Sequence, residues 1–297
     1  MERIDVNYIN SRYSSGADYM ADDGLYIEVV KSVANEISIG AEKAPIILLS
    51  GPSGSGKTTT AQMLEKYLDG IGVETHLVSL DNYFKTVGGQ KVDYESPSRI
   101  NADMLSRDVE RLIGGEEVQL PTFDFEREVS VMSDVKLKRN AGEIVIFEGI
   151  HALNPGVVKI KDGTKKIYVD VTTEIAYGDK VLAPKYIRLM RRMFRDKLYR
   201  GRGVVTTLKY FNSVEDGTSK YLLPYRDDAD YAINSFTPYE TALYKSGLNA
   251  ELRRVYGDLS VDERVAADIL LEYFSKVTGR DFSSVPANSI IREFIGK

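Results

Sequence analysis

The sequence predicts an α/β fold: a mainly parallel β-sheet flanked by helices, with a small β-hairpin insertion and an Arg-rich lid helix. Three observations carry this expectation. Apolar runs of strand length, "APIILLS" (44–50), "THLVSL" (75–80), "EIVIFEG" (143–149), "KKIYVDV" (165–171) and "ADYAINS" (229–235), alternate along much of the chain with segments of helical spacing. Alternation of this kind places strands in parallel, with helices crossing between them. The run "APIILLS" is continuously apolar, the pattern of a central strand buried on both faces. Between Val118 and Arg139 the alternation breaks, and "VQLPTFDFEREVSVMSDVKLKR" reads as short strands forming a hairpin.

Composition sets the bounds. The chain has 297 residues, 43% hydrophobic and 28% charged, which suits a soluble globular protein with a sizeable core. A net charge of −5 gives no general attraction to nucleic acid or an anionic membrane, and neither is expected as a partner. No cysteine is present, which excludes disulfides and thiolate metal sites and fits a cytoplasmic protein. Two histidines, His76 and His151, are too few for a His-rich metal centre. No apolar stretch approaches the ~18 residues of a membrane span, and the polar start is not a secretory signal. Whether the chain forms a homo-oligomer is left open.

In order, residues 1–43 form an N-terminal extension, loosely ordered to about residue 20 and then carrying one helix. In "LYIEVVKSVANEI" (25–37), Leu25, Val29, Val33 and Ile37 make the apolar stripe. Residues 44–255 are the main α/β domain. Its first helix runs from Lys57 to Asp69 and stops at Gly70. Residues 256–297 form a C-terminal helix and a tail packing on that domain. No internal repeat or low-complexity linker interrupts the chain.

The most specific motif is "GPSGSGKTT" (51–59), which fits G-x-x-x-x-G-K-[ST] between a predicted strand and a predicted helix. Gly51, Gly54 and Gly56 let the backbone curl round a phosphate, with Ser53, Ser55 and Thr59 completing the loop. Lys57, expected to face solvent, reaches the β- and γ-phosphates of a nucleotide such as ATP, and the Thr58 hydroxyl ligates Mg²⁺. Glu148 ends a buried strand where a second Mg²⁺-organising carboxylate belongs. His151 receives no role. Asp81, in "SLDNYFK" (79–85), follows a strand and reads either as a turn residue or as the base facing the γ-phosphate.

Eight residues between Lys185 and Arg202 are basic and only Asp196 is acidic. On a helix, Ile187, Met190, Phe194 and Leu198 form one stripe, and Arg188, Arg192 and Arg195 another. Pro184 suits the first turn, and Gly201 and Gly203 a stop or hinge. Arginine in place of lysine suits bidentate phosphate contacts.

Together, "GPSGSGKTT", "SLDNYF", "PTFDF", "FEGIHALNP" and "RRMFRDKLYRGR" resemble the uridine kinase and phosphoribulokinase-like family of P-loop kinases, over roughly residues 44 to 250. The likeness is greatest to the prokaryotic uridine kinase-like branch, whose pattern "DYESPSRINADML" and "SIIREFIG" also match. The resemblance implies ATP- and Mg²⁺-dependent phosphorylation of a nucleoside 5′-hydroxyl. It makes Asp81 the base, with Lys57 and Arg195 beside it in catalysis. It puts Glu95 on the ribose hydroxyls, Phe123 against the base and Tyr83 beside the acceptor. Arg192, Arg195, Arg200 and Arg202 become lid and phosphate-binding residues. Three positions depart from the family pattern: Phe123 stands where a Tyr is usual, Glu128 near a His, and Glu95 in place of Asp. Another small hydroxyl substrate, such as a sugar phosphate or a pantothenate-like compound, therefore stays open, as does a nucleotide-dependent RNA-binding module.

Overall fold

In the computed structural model, which describes residues 2–12, 19–88, 93–160 and 162–296, the chain begins with strand β1 (Arg3–Asp5). Helices α1 (Val6–Arg12) and α2 (Tyr19–Ile39) follow. This corrects the expectation of a loose start with one helix: β1 pairs in parallel with 174–176, Arg3 meeting Glu174. Positions 1 and 13–18 lie outside the described residues. The α2 stripe is also displaced. Leu25 is 70% exposed and Val29 45%, while Tyr26, Val30, Val33, Ala34 and Ile37 are buried. Spacings of three and four counted back from Ile37 select Tyr26 and Val30, a face that the shorter, strictly four-residue reading missed.

The main domain continues with β2 (Ile46–Ser50), α3 (Lys57–Gly70), β3 (Thr75–Ser79) and α4 (Ala102–Ile113). Gly70 lies within α3; the left-handed turn comes at Gly72, with φ +88°. Asn101 caps α4, its side chain accepting the Met104 N–H at 3.2 Å. β4 (Glu117–Asp124) and β5 (Val129–Lys138) form the expected antiparallel hairpin, with a register shift next to Pro121, which has no N–H to donate.

β6 (Ile144–Glu148), β7 (Thr164–Asp170), β8 (Glu174–Tyr177) and β9 (Lys180–Leu182) come next. Then follow α5 (Pro184–Tyr199), α6 (Val204–Lys209), α7 (Phe211–Tyr221), β10 (Tyr231–Asn234) and α8 (Glu240–Val255). The chain closes with α9 (Val261–Lys276), held by a Ser260–Glu263 capping box, and α10 (Arg292–Ile295).

The central sheet has the order β10-β7-β2-β6-β3, and every pairing is parallel. β2 feeds both sides of it: Ile47 and Leu49 enter the larger apolar core, Ile46 and Leu48 the smaller. Consequently the loops after β2, β6 and β3 emerge side by side at one edge, where ligands bind in open α/β sheets. α5 departs from the expected lid. Its residues from Tyr186 to Met193 are all buried, while Leu198 is exposed, so the helix is packed into the body. Among the described residues no helix is long and apolar enough to cross a membrane.

Candidate active site

The 51–59 loop joins β2 to α3. Gly54 has φ +82°, and a Cβ there would come 2.9 Å from the Arg188 carbonyl, so only glycine lets the loop lie against α5. Gly56, at φ +86°, caps α3. Lys57 is buried, unlike its expected solvent-facing position, because its ammonium turns back and donates to the Pro52 carbonyl at 3.2 Å. The Ser55 hydroxyl is buried and makes no hydrogen bond, while Ser53 is half-buried.

Glu148 ends β6, opposite Leu49 on one side and Ser79 on the other. The Thr58 hydroxyl donates to its carboxylate at 3.3 Å, so the two oxygens expected to share a metal converge. Burial pushes the Glu148 carboxyl up to about 7; Lys57 opposes this, and Asp81 and Glu293 reinforce it. Asp81 lies one residue beyond Leu80 after β3, in a short 3₁₀ turn where its N–H donates to the Ser79 hydroxyl at 3.2 Å. Its carboxyl is likewise raised by burial, against Lys57, Arg200, Arg99 and Arg195. Glu95 is raised by burial and restrained by Arg192 and Lys57. Lys57 and Asp81 thus each act on both Glu95 and Glu148.

Glu148 allows a sign to be tested. In the metal-free protein it holds a proton up to about pH 7, against an ordinary value of 4.5. The folded state then binds the extra proton between those values, so the Glu148 contribution to stability falls as pH rises through that window. Glu148→Gln is neutral throughout. Its stability relative to the native protein should therefore rise from about pH 5 to about pH 7.5, in thermal melts with chelator present. A constant difference would mean that Glu148 ionises normally.

The arginines divide into distinct groups. Arg188 pairs with Asp170 at 3.0 Å and Glu215 at 2.9 Å. Arg192 packs its stem on Gly54; burial and Arg195 lower its pKa to about 10, and its Nε is unpartnered. Arg195 donates twice to Asp196, at 3.2 and 3.0 Å, and Arg200 lies 3.5 Å from the same carboxylate. Arg202 is exposed, its N–H donating to the Asp196 carbonyl at 3.0 Å. Asp196, the one acid of the basic run, organises three of the expected phosphate ligands.

Sequence reasoning missed Arg191. It is fully buried, forks onto Glu240 at 2.7 and 2.9 Å, and reaches the Gly54 carbonyl at 3.2 Å, tying the loop to α8. Its signal was a cation four residues after Ile187, inside the apolar stripe. Sequence reasoning set the tail on the domain but missed its contact with the loop. Glu293 accepts from the Thr59 N–H at 3.2 Å and the Thr59 hydroxyl at 2.7 Å, and Ile290 lies over Gly56. Thr59, expected to bind nucleotide, therefore spends its donors on the chain's own carboxylate.

On the acceptor side, Tyr83 is fully buried and donates to Asp108 at 3.0 Å, so it supports the floor and does not face the cleft. His151, given no role from sequence, bonds the Glu95 carbonyl at 2.9 Å, and burial lowers its pKa to about 4, which keeps the ring neutral. Phe123 packs edge-on against Phe84 and Phe125. Glu128 accepts from the Tyr94 hydroxyl at 2.8 Å and, at φ +55°, is the one non-glycine with positive φ among the described residues.

The model of the phosphoribulokinase / uridine kinase family matches residues 46–242. The uridine kinase of Staphylococcus aureus (strain JH9) is 29% identical over 195 residues, covering 63% of this chain and 86% of that one. The uridine kinase of Halobacterium salinarum is 26% identical over 192 residues, covering 62% and 77%. A Bacillus stearothermophilus structure described as a possible uridine kinase superposes with a TM-score of 0.44 and 15% identity, over 69% of this chain and 97% of that chain. The matched span begins at β2 and ends in α8, so it holds the loop, Asp81, Glu148 and the arginines of α5 in one contiguous stretch. This chain belongs to the phosphoribulokinase / uridine kinase family of kinases.

Proposed function

We propose that the chain transfers the γ-phosphoryl group of ATP to the 5′-hydroxyl of a nucleoside. The observation that supports this best is the convergence of Lys57, Thr58, Glu148 and Asp81 at the ends of three neighbouring parallel strands. ATP lays its phosphates along the 51–59 loop, and Lys57 exchanges the Pro52 carbonyl for phosphate oxygens. The oxygen donors of Thr58 and Glu148 suit Mg²⁺, which neutralises phosphate charge when bound. Arg192, Arg195, Arg200 and Arg202 carry the remaining charge of the transferred group.

The acceptor oxygen attacks phosphorus, the bond to the β-phosphate oxygen breaks, ADP leaves, and the hydroxyl proton passes to Asp81. A carboxylate raised by burial is a better base near neutral pH than an exposed one. Most of the rate comes from positioning and charge stabilisation. Glu95, held through its carbonyl by His151, accepts hydrogen bonds from the ribose hydroxyls.

Release of ADP with a panel of nucleosides and phosphorylated sugars tests the acceptor class. Turnover confined to the sugars would replace the nucleoside and leave the kinase reading intact. If Glu95 holds the vicinal hydroxyls, kcat/KM should favour ribonucleosides over 2′-deoxynucleosides by a margin set by ~1–3 kcal/mol of lost hydrogen bonding. Glu95→Gln should erode that margin; equal kcat/KM for both sugars in the native protein would remove Glu95 from this role.

A further inference from the structure

Beyond Glu95, the chain places one more charged group in the acceptor region. Arg99 closes the 3₁₀ turn Pro97–Arg99, and two contacts fix it beside the Asp81 loop. Its carbonyl accepts the Lys85 N–H at 2.7 Å, and Ile100 bridges Phe84 in antiparallel fashion. Its guanidinium lies 4.7 Å from the ring centre of Phe84, 4.8 Å from that of Tyr94 and 5.6 Å from that of Phe123. Arg99 is only 7% exposed, yet its guanidinium has no hydrogen bond and no ion pair among the described residues, and Nη2 is wholly buried. Its charge acts on Asp81, the expected base.

A buried arginine without an acceptor is costly unless something supplies one. The aromatic rings satisfy the face of the guanidinium through cation–π contact, but not its in-plane N–H donors. Phe125, 64% exposed and edge-on to Phe123 at 5.2 Å, extends the aromatic wall toward solvent. A planar ring fits beside such a wall, and the donors of Arg99 call for oxygen on its edge.

We propose that Arg99 reads the base of the acceptor, donating to a ring carbonyl oxygen and so favouring keto-bearing over amino-bearing nucleosides. The proposal rests on the nucleoside reading above and supplies the polar contact that Phe123, lacking a hydroxyl, cannot make. A guanidinium has donors and no acceptor, so it pairs with the 4-keto oxygen of uracil and is left facing a second donor at the 4-amino group of cytosine. Sites that hydrogen-bond their substrate discriminate strongly, because the wrong partner leaves buried groups unpaired.

The test compares uridine with cytidine on the native protein, on Arg99→Met, which keeps the apolar stem, and on Arg99→Lys, which keeps charge but not the planar fork. The native protein should prefer uridine. In Arg99→Met the uridine-to-cytidine ratio of kcat/KM should collapse by about 10- to 100-fold, the value of one charged hydrogen bond, through KM for uridine and with KM for ATP unchanged. Arg99→Lys should fall between the two, and it decides the matter if Arg99→Met melts early. An unchanged ratio in either folded variant, or equal losses for both nucleosides, would overturn the proposal. If the native protein ignores nucleosides but phosphorylates ribose 5-phosphate, the nucleoside reading itself fails, and Arg99 serves an anion instead.

Discussion

Lys57→Ala should lower phosphoryl transfer by on the order of 10³-fold or more, the scale seen when a cation or donor aimed at transferred charge is removed. Lys57 is buried, and no other lysine sits in the 51–59 loop. Its charge restrains the carboxyls of Asp81, Glu95 and Glu148 together. Truncation therefore does more than remove a phosphate ligand. It leaves three buried acids with less counter-charge, so each should hold its proton to higher pH, which also weakens metal binding and the base. The fold should persist, since Lys57 bonds only the Pro52 carbonyl of its own loop. Steady-state turnover and a thermal melt of the variant decide the point. Near-native turnover would remove the loop from catalysis.

Asp81→Asn should reduce kcat by ~10²–10⁴-fold, the usual value of general-base assistance, while ATP affinity changes little. Asparagine keeps the size and one acceptor oxygen but cannot take a proton. The N–H of residue 81 still reaches Ser79, so the turn survives the change. Arg195→Ala should behave differently, lowering kcat and weakening ATP binding together, because it removes charge from the phosphate side and two of the donors on Asp196. Calorimetric ATP titration beside the kinetics separates the two. Loss of ATP–Mg²⁺ binding in Asp81→Asn would make Asp81 a metal organiser, and the base would lie elsewhere.

What could be read from sequence was what is encoded locally. The glycine loop, the strand ending in Glu148 and the hairpin after α4 each declare themselves within one short continuous stretch, through turn chemistry and periodicity. The α2 face was misread because its helix starts earlier, at Tyr19, and three- and four-residue steps select different stripes. Lys57 was misjudged because its partner, Pro52, holds an unspecified position of the motif, and only the curl of the loop turns its carbonyl toward the ammonium. Two other contacts between distant segments could not be paired from sequence. Glu293 and Thr59 are separated by 234 positions, and Arg191 and Glu240 by 49. Arg99 draws its aromatic neighbours from three stretches: Phe84 from the Asp81 loop, Tyr94 from just before the Pro97–Arg99 turn and Phe123 from the hairpin.

The covering of Gly56 and Thr59 by Ile290 and Glu293 has a consequence for the order in which the molecule is made. The last strand of the central sheet ends at Asn234, 56 positions before Ile290. A ribosome adding ~5–20 residues per second takes roughly 3 to 11 seconds over that stretch, while folding proceeds from the N-terminal side. During that interval the start of α3 lies uncovered. In the finished chain Ile290 and Glu293 are already seated on it.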